Sequence, residues 1–302
     1  MVYPEFKTPQ LEDQELLKKY FAKESVRSCD RCFVNLYLWA KYYQVKFAFF
    51  ENVILFRDFT KGFRIAFPLG EEEDVKAVIP KLIDWAKEEG EEFCLYGVTK
   101  EQFDLLEEWY PDTFSIEYDR NMADYVYEAE KLVKLSGKSY HGKRNYINRF
   151  KAAHLGRWSY ELLSDDNVED CFKMALKWRN LNGCDDDYGK NAEMAVAMNS
   201  LRLYKELGLT GCLIRAEGEV VAFAIGEPLT EDTFVVHIEK AYADVEGAYA
   251  LVNQQFVENE MLGKYQYVNR EDDVGQENLR STKLSYKPVF LVEKGDVTLK
   301  KE

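Results

Sequence analysis

Apolar and polar positions along this chain repeat with two periods, near 3.6 and 2, and the alternation between them outlines a mixed α/β protein. A first helix is expected through QLEDQELLKKYFAKE, and the aromatic stretch FVNLYLW (Phe33 to Trp39) follows as a helix or strand packed on a sheet. KFAFFENVILFRDF reads as two strands around a Glu51–Asn52 turn, and FRIAFPL as another strand. EEEDVKAVIPKLIDWAKEEG then places Val75, Val78, Ile79, Leu82, Ile83 and Trp85 on one helical stripe that stops at Gly90. EFCLYGV is a strand, and TKEQFDLLEEWY is a helix capped by Thr99 with acid in its first turn. FSIEYDR and DYVYEA are expected to close this half as strands.

The second half follows the same logic. RWSYELLS is a strand, and helices run through DNVEDCFKMALKWRNLNG to Gly183 and NAEMAVAMNSLRLYKELG to Gly208. GCLIRA and EVVAFAIGEPL form a hairpin across Glu217–Gly218, and TFVVHIEKA is a central strand. The loop YADVEG leads into a helix, AYALVNQQFVENEML. YQYVNRED is a strand, GQENLRSTKLSY a helix and KPVFLVEKGDVTL a final hairpin. Each half thus gives strands, helix, strand, helix and strands. A duplicated domain is expected, with domains over 1–130 and 131–302.

Composition narrows the class. At 302 residues, 46% hydrophobic and 15% aromatic, the chain is long enough for two folded domains. No apolar run approaches the roughly 18 residues of a membrane helix, and the start has no apolar signal-peptide core, so a cytoplasmic protein is expected. Six cysteines are scattered, with one CxxC at Cys29 and Cys32. No second pair or HxxxH completes a zinc site, so no metal is expected and the thiols are read as reduced core residues. A net charge of -14 argues against a general nucleic-acid binder, while leaving room for one nucleic-acid end in a local basic groove.

Such a local field exists. Lys131 to Tyr160 contains no Asp or Glu, where 54 acids in 302 residues would put about 5. The window carries Lys131, Lys134, Lys138, Lys143, Arg144, Arg149, Lys151 and Arg157 with His141 and His154. If SYHGKRNYINRFKAA is helical, Tyr140, Tyr146, Ile147 and Phe150 share one face. His141, Arg144, Asn145, Asn148 and Lys151 share the other, presenting cations to phosphate, against the plainer reading of a solvated basic face.

The element order of the second half is that of the GNAT acyltransferase fold, and several phrases go further. FVNLYLW, LSGKSYHGKRNYINRF, HIEKAYADVEGAYALVNQQF and VNREDDVGQENLRSTKLSYKP resemble the tandem GNAT-like family that shares the C-terminal domain of phosphatidylglycerol lysyltransferase. That group is similar in architecture to the Fem peptidoglycan aminoacyltransferases. The resemblance implies two tandem GNAT-like domains, each a mixed, mostly antiparallel sheet flanked by helices. It also implies transfer of an amino acid from aminoacyl-tRNA to a lipid or peptide. The chain departs from the lysyltransferase in lacking membrane helices.

On that fold the central strand lies beside the acyl donor. Strand alternation sets His237 and Glu239 on one face, as candidate bases for an amine proton, or as a buried polar pair satisfied in the sheet. Acetyltransferases follow this strand with two glycines that grip the pyrophosphate of coenzyme A. Here the stretch is Asp244-Val245-Glu246-Gly247-Ala248-Tyr249, with one glycine and two acids, which favours a donor other than coenzyme A. Asn269, Arg270, Glu271, Asp272 and Asp273 lie at a strand's C-terminal end, where open sheets place ligands, and a carboxylate there, Glu271 or Asp272, is a candidate for the substrate amine. Tyr286 is a candidate proton donor to the leaving group. Lys138, His141, Lys143, Arg144, Asn148, Lys151, Lys240, Gly247, Asn269, Arg270, Arg280 and Lys283 are candidates for binding a phosphate-bearing donor. The expected activity is aminoacyl transfer from a charged carrier, the tRNA acceptor end, to an amine or hydroxyl of a small molecule, peptide or lipid headgroup. It needs no resident cofactor. The alternatives are an acyl-CoA-dependent N-acyltransferase and a non-catalytic anion-binding module.

Overall fold

The computed structural model describes residues 3–184 and 187–301. Its strands are β1 (Val45–Phe50), β2 (Val53–Asp58), β3 (Phe63–Ala66), β4 (Phe93–Thr99), β5 (Phe114–Tyr118), β6 (Asp124–Glu128), β7 (Trp158–Leu162), β8 (Thr210–Ala216), β9 (Glu219–Pro228), β10 (Thr233–Ala241), β11 (Tyr267–Asn269), β12 (Phe290–Val292) and β13 (Lys294–Leu299). Its helices are α1 (Gln14–Phe21), α2 (Phe33–Tyr43), α3 (Glu72–Glu89), α4 (Lys100–Trp109), α5 (Ala129–Lys134), α6 (His141–Ala153), α7 (Val168–Leu181), α8 (Tyr188–Arg202), α9 (Tyr204–Leu207), α10 (Ala248–Phe256) and α11 (Glu277–Ser285).

The chain divides into two compact units. One holds the residues up to Asp124, Asp272–Glu277 and the stretch from Leu291; the other holds Tyr125–Glu271 and Asn278–Phe290. In the first, the sheet order is β1-β2-β3-β4-β13-β5, antiparallel except for the parallel pair β3 and β4 joined through α3. The predicted stripe of α3 is buried over this sheet, with Val75, Val78, Ile79, Leu82 and Trp85 packed among Phe63, Ile65 and Leu95. α3 ends at Gly90 with φ 74, and Thr99 caps α4 with Gln102 closing a capping box. FVNLYLW is helical, opening α2.

In the second unit the order is β12-β6-β11-β10-β9-β8-β7, with β10 and β11 a parallel pair joined through α10. The β8–β9 hairpin turns at Glu217 and Gly218, both at positive φ as expected. Two expectations change. β6 does not close the first sheet but pairs with β11 in the second. KPVFLVEKGDVTL is not a hairpin either: β12 lies in the second sheet, while β13 inserts between β4 and β5 of the first. Each sheet therefore takes one strand from the other half of the sequence, an exchange that a cut at 130/131 does not follow. Alternation along each strand reports a buried face but says nothing of which sheet supplies the partner.

Candidate active site

The site begins where the parallel pair ends. β10 and β11 are in register from Thr233–Tyr267 to Val235–Asn269, and β10 then runs on to Ala241 paired only with β9. Opposite β9 a bulge interrupts the ladder between Val236 and Ile238, so His237 is the extra residue. Gly226 permits it, because a Cβ there would stand 2.1 Å from the Val235 carbonyl oxygen. The bulge corrects the expected alternation: His237 and Glu239 serve different clusters.

Glu239 reaches across the opening beside β10. Arg270, just past β11, donates from Nη2 to Glu239 Oε1 at 2.8 Å, and Asn253 of α10 donates from Nδ2 to Oε2 at 3.1 Å. The Arg270 side chain is 9% exposed and that of Glu239 14%. Burial works against the Arg270 charge, but Glu239 together with Tyr127 and Tyr286 outweighs it, and the guanidinium's pKa is raised. The guanidinium lies 4.9 Å from the ring centre of Tyr286 and 5.7 Å from that of Tyr127. Lys143 of α6 places its ammonium 4.2 Å from the same Tyr286 ring. Burial, and after it Arg270, lower the Lys143 pKa, while burial pushes the Tyr286 phenol up to about 12. Tyr286 is therefore a hydroxyl at neutral pH. Two buried polar atoms here have no partner among the described residues: Arg270 Nη1 and Asn253 Oδ1.

His237 forms a second cluster. Its Nδ1 lies 2.8 Å from Glu271 Oε1 and its Nε2 3.4 Å from Glu227 Oε1, with the imidazole 3% exposed. Glu271 itself sits at φ 57, and its backbone N–H donates to Asn269 Oδ1 at 2.6 Å. Asn269 is thus a backbone brace for this turn. Asp272 accepts from the Val274 N–H at 3.1 Å, an Asx-type turn that counts with the first unit.

The basic window is mostly spent on contacts within the fold, some of them to acids far along the chain. Arg144, expected to face phosphate, donates instead to the carbonyls of Leu135 and Gly137, capping the end of α5. Arg149 pairs with Glu246, Arg157 and His154 with Glu217, Lys131 with Glu128 and Lys134 with Glu130. These acids lie outside the acid-free stretch, which is why the sequence count showed an excess that the fold largely cancels. His141 bonds Asn145, Lys151 lies over the Trp158 ring, and Lys138 and Asn148 are exposed. Tyr146, expected on the buried face of α6, is 47% exposed, whereas Ile147 and Phe150 are buried. Lys143 alone of the named cations of this window reaches Tyr286.

Three further candidates have structural partners. Lys240 pairs with Glu193 and lies 4.1 Å from the Trp178 ring centre. Lys283 donates to the Arg270 carbonyl at 2.7 Å, holding the backbone beneath the guanidinium. Gly247, at φ 86, faces α6: a Cβ would meet the Tyr146 carbonyl oxygen at 2.3 Å. The start of α10, where a pyrophosphate was weighed, is thus packed against a carbonyl. Arg280 is half-buried on α11. The sequence reading missed Asn253 and Tyr127. The available signal for Asn253 was a polar residue in an otherwise apolar helix, AYALVNQQF; Tyr127 was hidden by assigning its strand to the other sheet.

Comparisons agree with this architecture. The family model described as "Phosphatidylglycerol lysyltransferase, C-terminal" matches residues 22–294. A conserved protein of unknown function from Bacteroides thetaiotaomicron superposes with a TM-score of 0.90 at 36% identity, covering 99% of this chain and 100% of that one. The structure of L-PGS from Bacillus licheniformis superposes with a TM-score of 0.63 at 16% identity, covering 96% of this chain and 93% of that one, a likeness of fold. An uncharacterized protein of Mycoplasmoides gallisepticum is 24% identical over 62% of this chain, a match that spans 60% of that protein's length.

Proposed function

The chain belongs to the family of the phosphatidylglycerol lysyltransferase C-terminal domain, and from that premise we propose that it transfers an aminoacyl group from a charged tRNA to an amine or hydroxyl acceptor. An acyltransferase-type activity is what the family and the tandem GNAT-like fold support in common. The observation that carries the finer reading is the Glu239–Arg270 pair across the β10–β11 opening, with donor and acceptor atoms left over for a ligand.

In this reading the donor ester C–O bond breaks as the carbonyl carbon bonds the acceptor oxygen or nitrogen. Glu239 takes the acceptor's proton, and the leaving ribose oxygen receives one from the Tyr286 hydroxyl. Solvent returns a proton from Glu239 to Tyr286. Arg270 and Lys143 supply positive potential for the carbonyl oxygen as it gains charge. A direct transfer fits the thiols of this unit: Cys171, Cys184 and Cys212 are buried, and burial raises each pKa, that of Cys171 to about 12. Glu246 beside Gly247, and the Tyr146 carbonyl packed on it, weigh against coenzyme A as the donor.

The test offers charged total tRNA and acetyl-CoA in parallel, with phosphatidylglycerol vesicles and glycylglycine as acceptors. Labelled amino acid moving to either acceptor, with acetyl-CoA inert, is the expected result. Acetyl transfer without aminoacyl transfer would overturn it.

A further inference from the structure

Asn253 holds one Glu239 oxygen through Nδ2, and that contact fixes which way its amide points. A flipped amide would set Oδ1 against a carboxylate, so Oδ1 is directed away from Glu239. There it is buried and accepts nothing among the described residues. Arg270 repeats the arrangement on the other oxygen: Nη2 is used by Glu239, and the adjacent Nη1 is buried without an acceptor. Leaving buried groups of this kind unmet is unfavourable, so a persistent pair asks for a ligand that meets both. That ligand must bring one acceptor and one N–H or O–H donor within a small span, on either side of a carboxylate.

We propose that Asn253 and Arg270 read the α-amino acyl unit itself, Asn253 Oδ1 accepting from the α-amino group and Arg270 Nη1 donating to the ester carbonyl. The inference rests on the reading of this opening as an acyl-transfer site and names what selects its substrate. An α-amino ester carries the two complements on neighbouring carbons, whereas a plain acyl ester offers the carbonyl alone. Binding the plain acyl group leaves Oδ1 buried and unpaired, which is how a polar site rejects an analogue lacking the matching group. Glu239 adds to it, because its carboxylate favours an amine nearby. Asn253 is thus a specificity residue as well as the positioning residue for Glu239.

The experiment compares a minihelix RNA carrying alanyl or propionyl at its 3′ end, with phosphatidylglycerol vesicles and glycylglycine as acceptors. The wild-type protein is expected to use the alanyl donor about a hundredfold better or more. In Asn253→Ala the ratio should fall below about tenfold, because the loss falls on the alanyl donor. Asn253→Asp keeps an acceptor in place but loses the donor to Glu239, so its rate should fall on both donors while the preference for alanyl is kept. Equal losses on both donors in Asn253→Ala would show that Asn253 only positions Glu239, overturning this inference while leaving the transferase reading intact. If neither RNA donor is used at all, both fall. Thermal melting of each variant confirms that folded proteins are compared.

Discussion

Each unit buries a cation against carboxylate, two for Lys294 and one for Arg270, and the two differ in whether the cation is saturated. In the first unit Lys294, 1% exposed, donates to Asp124 at 2.9 Å and Asp30 at 2.7 Å, with the Cys29 sulfur at 3.8 Å. Asp124 also accepts the Cys29 backbone N–H at 2.7 Å. Three ammonium protons have three partners. In the second unit Arg270 has one carboxylate, two aromatic rings and a buried nitrogen to spare. The first arrangement holds Lys294 of β13 to Asp124 of β6; the second leaves a buried donor unmet among the described residues. The strand geometry matches this contrast. β3 ends at Ala66, where its pairing with β4 also ends, whereas β10 outruns its pairing with β11 and exposes Glu239 to the opening.

The largest expected effect lies in the saturated cluster. Lys294→Met leaves Asp124 buried without a cation and should cost about 3–5 kcal/mol in urea denaturation. The surrounding acids and Cys29 outweigh burial and raise the Lys294 pKa well above its ordinary 10.5. A raised value means that this contribution is complete below about pH 10.5 and lost as pH climbs through the folded-state value. The difference between wild type and Lys294→Met should therefore be flat from pH 6 to 9 and shrink only beyond about 10.5. A difference that fades at neutral pH would show that Lys294 is not held charged by these acids.

Tyr286→Phe keeps the ring on which Arg270 and Lys143 lie and removes only the hydroxyl. Transfer should fall about a hundredfold with melting little changed, as single-turnover rates and thermal scans can establish. Gly247→Ala meets a backbone carbonyl at positive φ and should cost about 2 kcal/mol, against about 1 kcal/mol for Gly90→Ala, which has positive φ but open space. Equal losses would mean that the approach of α6 to α10 is looser than described. Arg144→Ala should cost only about 1 kcal/mol, the worth of its contacts to the Leu135 and Gly137 carbonyls, and leave the KM for charged RNA unchanged. A raised KM would restore Arg144 to the phosphate role first read from its sequence.

Much of this was legible from residue order because local signals and tertiary fate coincide in the helices. The α3 stripe, the Thr99 cap and the Glu217–Gly218 turn depend on neighbours within a few positions. Glu239, Arg270, Tyr286 and Lys143 were all named from the sequence, and the fold brings them together. What escaped was non-local. β6 and β13 have ordinary strand patterns, and nothing in a period-two alternation reports that they cross to the other sheet. The acids that neutralise Arg149 and Arg157 lie at Glu246 and Glu217, far along the chain. The bulge at His237 is set by Gly226 on the neighbouring strand, so alternation within β10 was bound to misplace it.

On this reading the unsaturated cluster carries the chemistry and the saturated one the architecture. The direct test is the single-turnover rate of aminoacyl transfer for Glu239→Gln and Lys294→Met side by side, each corrected for its folded fraction. Glu239→Gln should lose at least about a hundredfold, and folded Lys294→Met should keep the wild-type rate. A full rate in Glu239→Gln, or an abolished one in folded Lys294→Met, would contradict it.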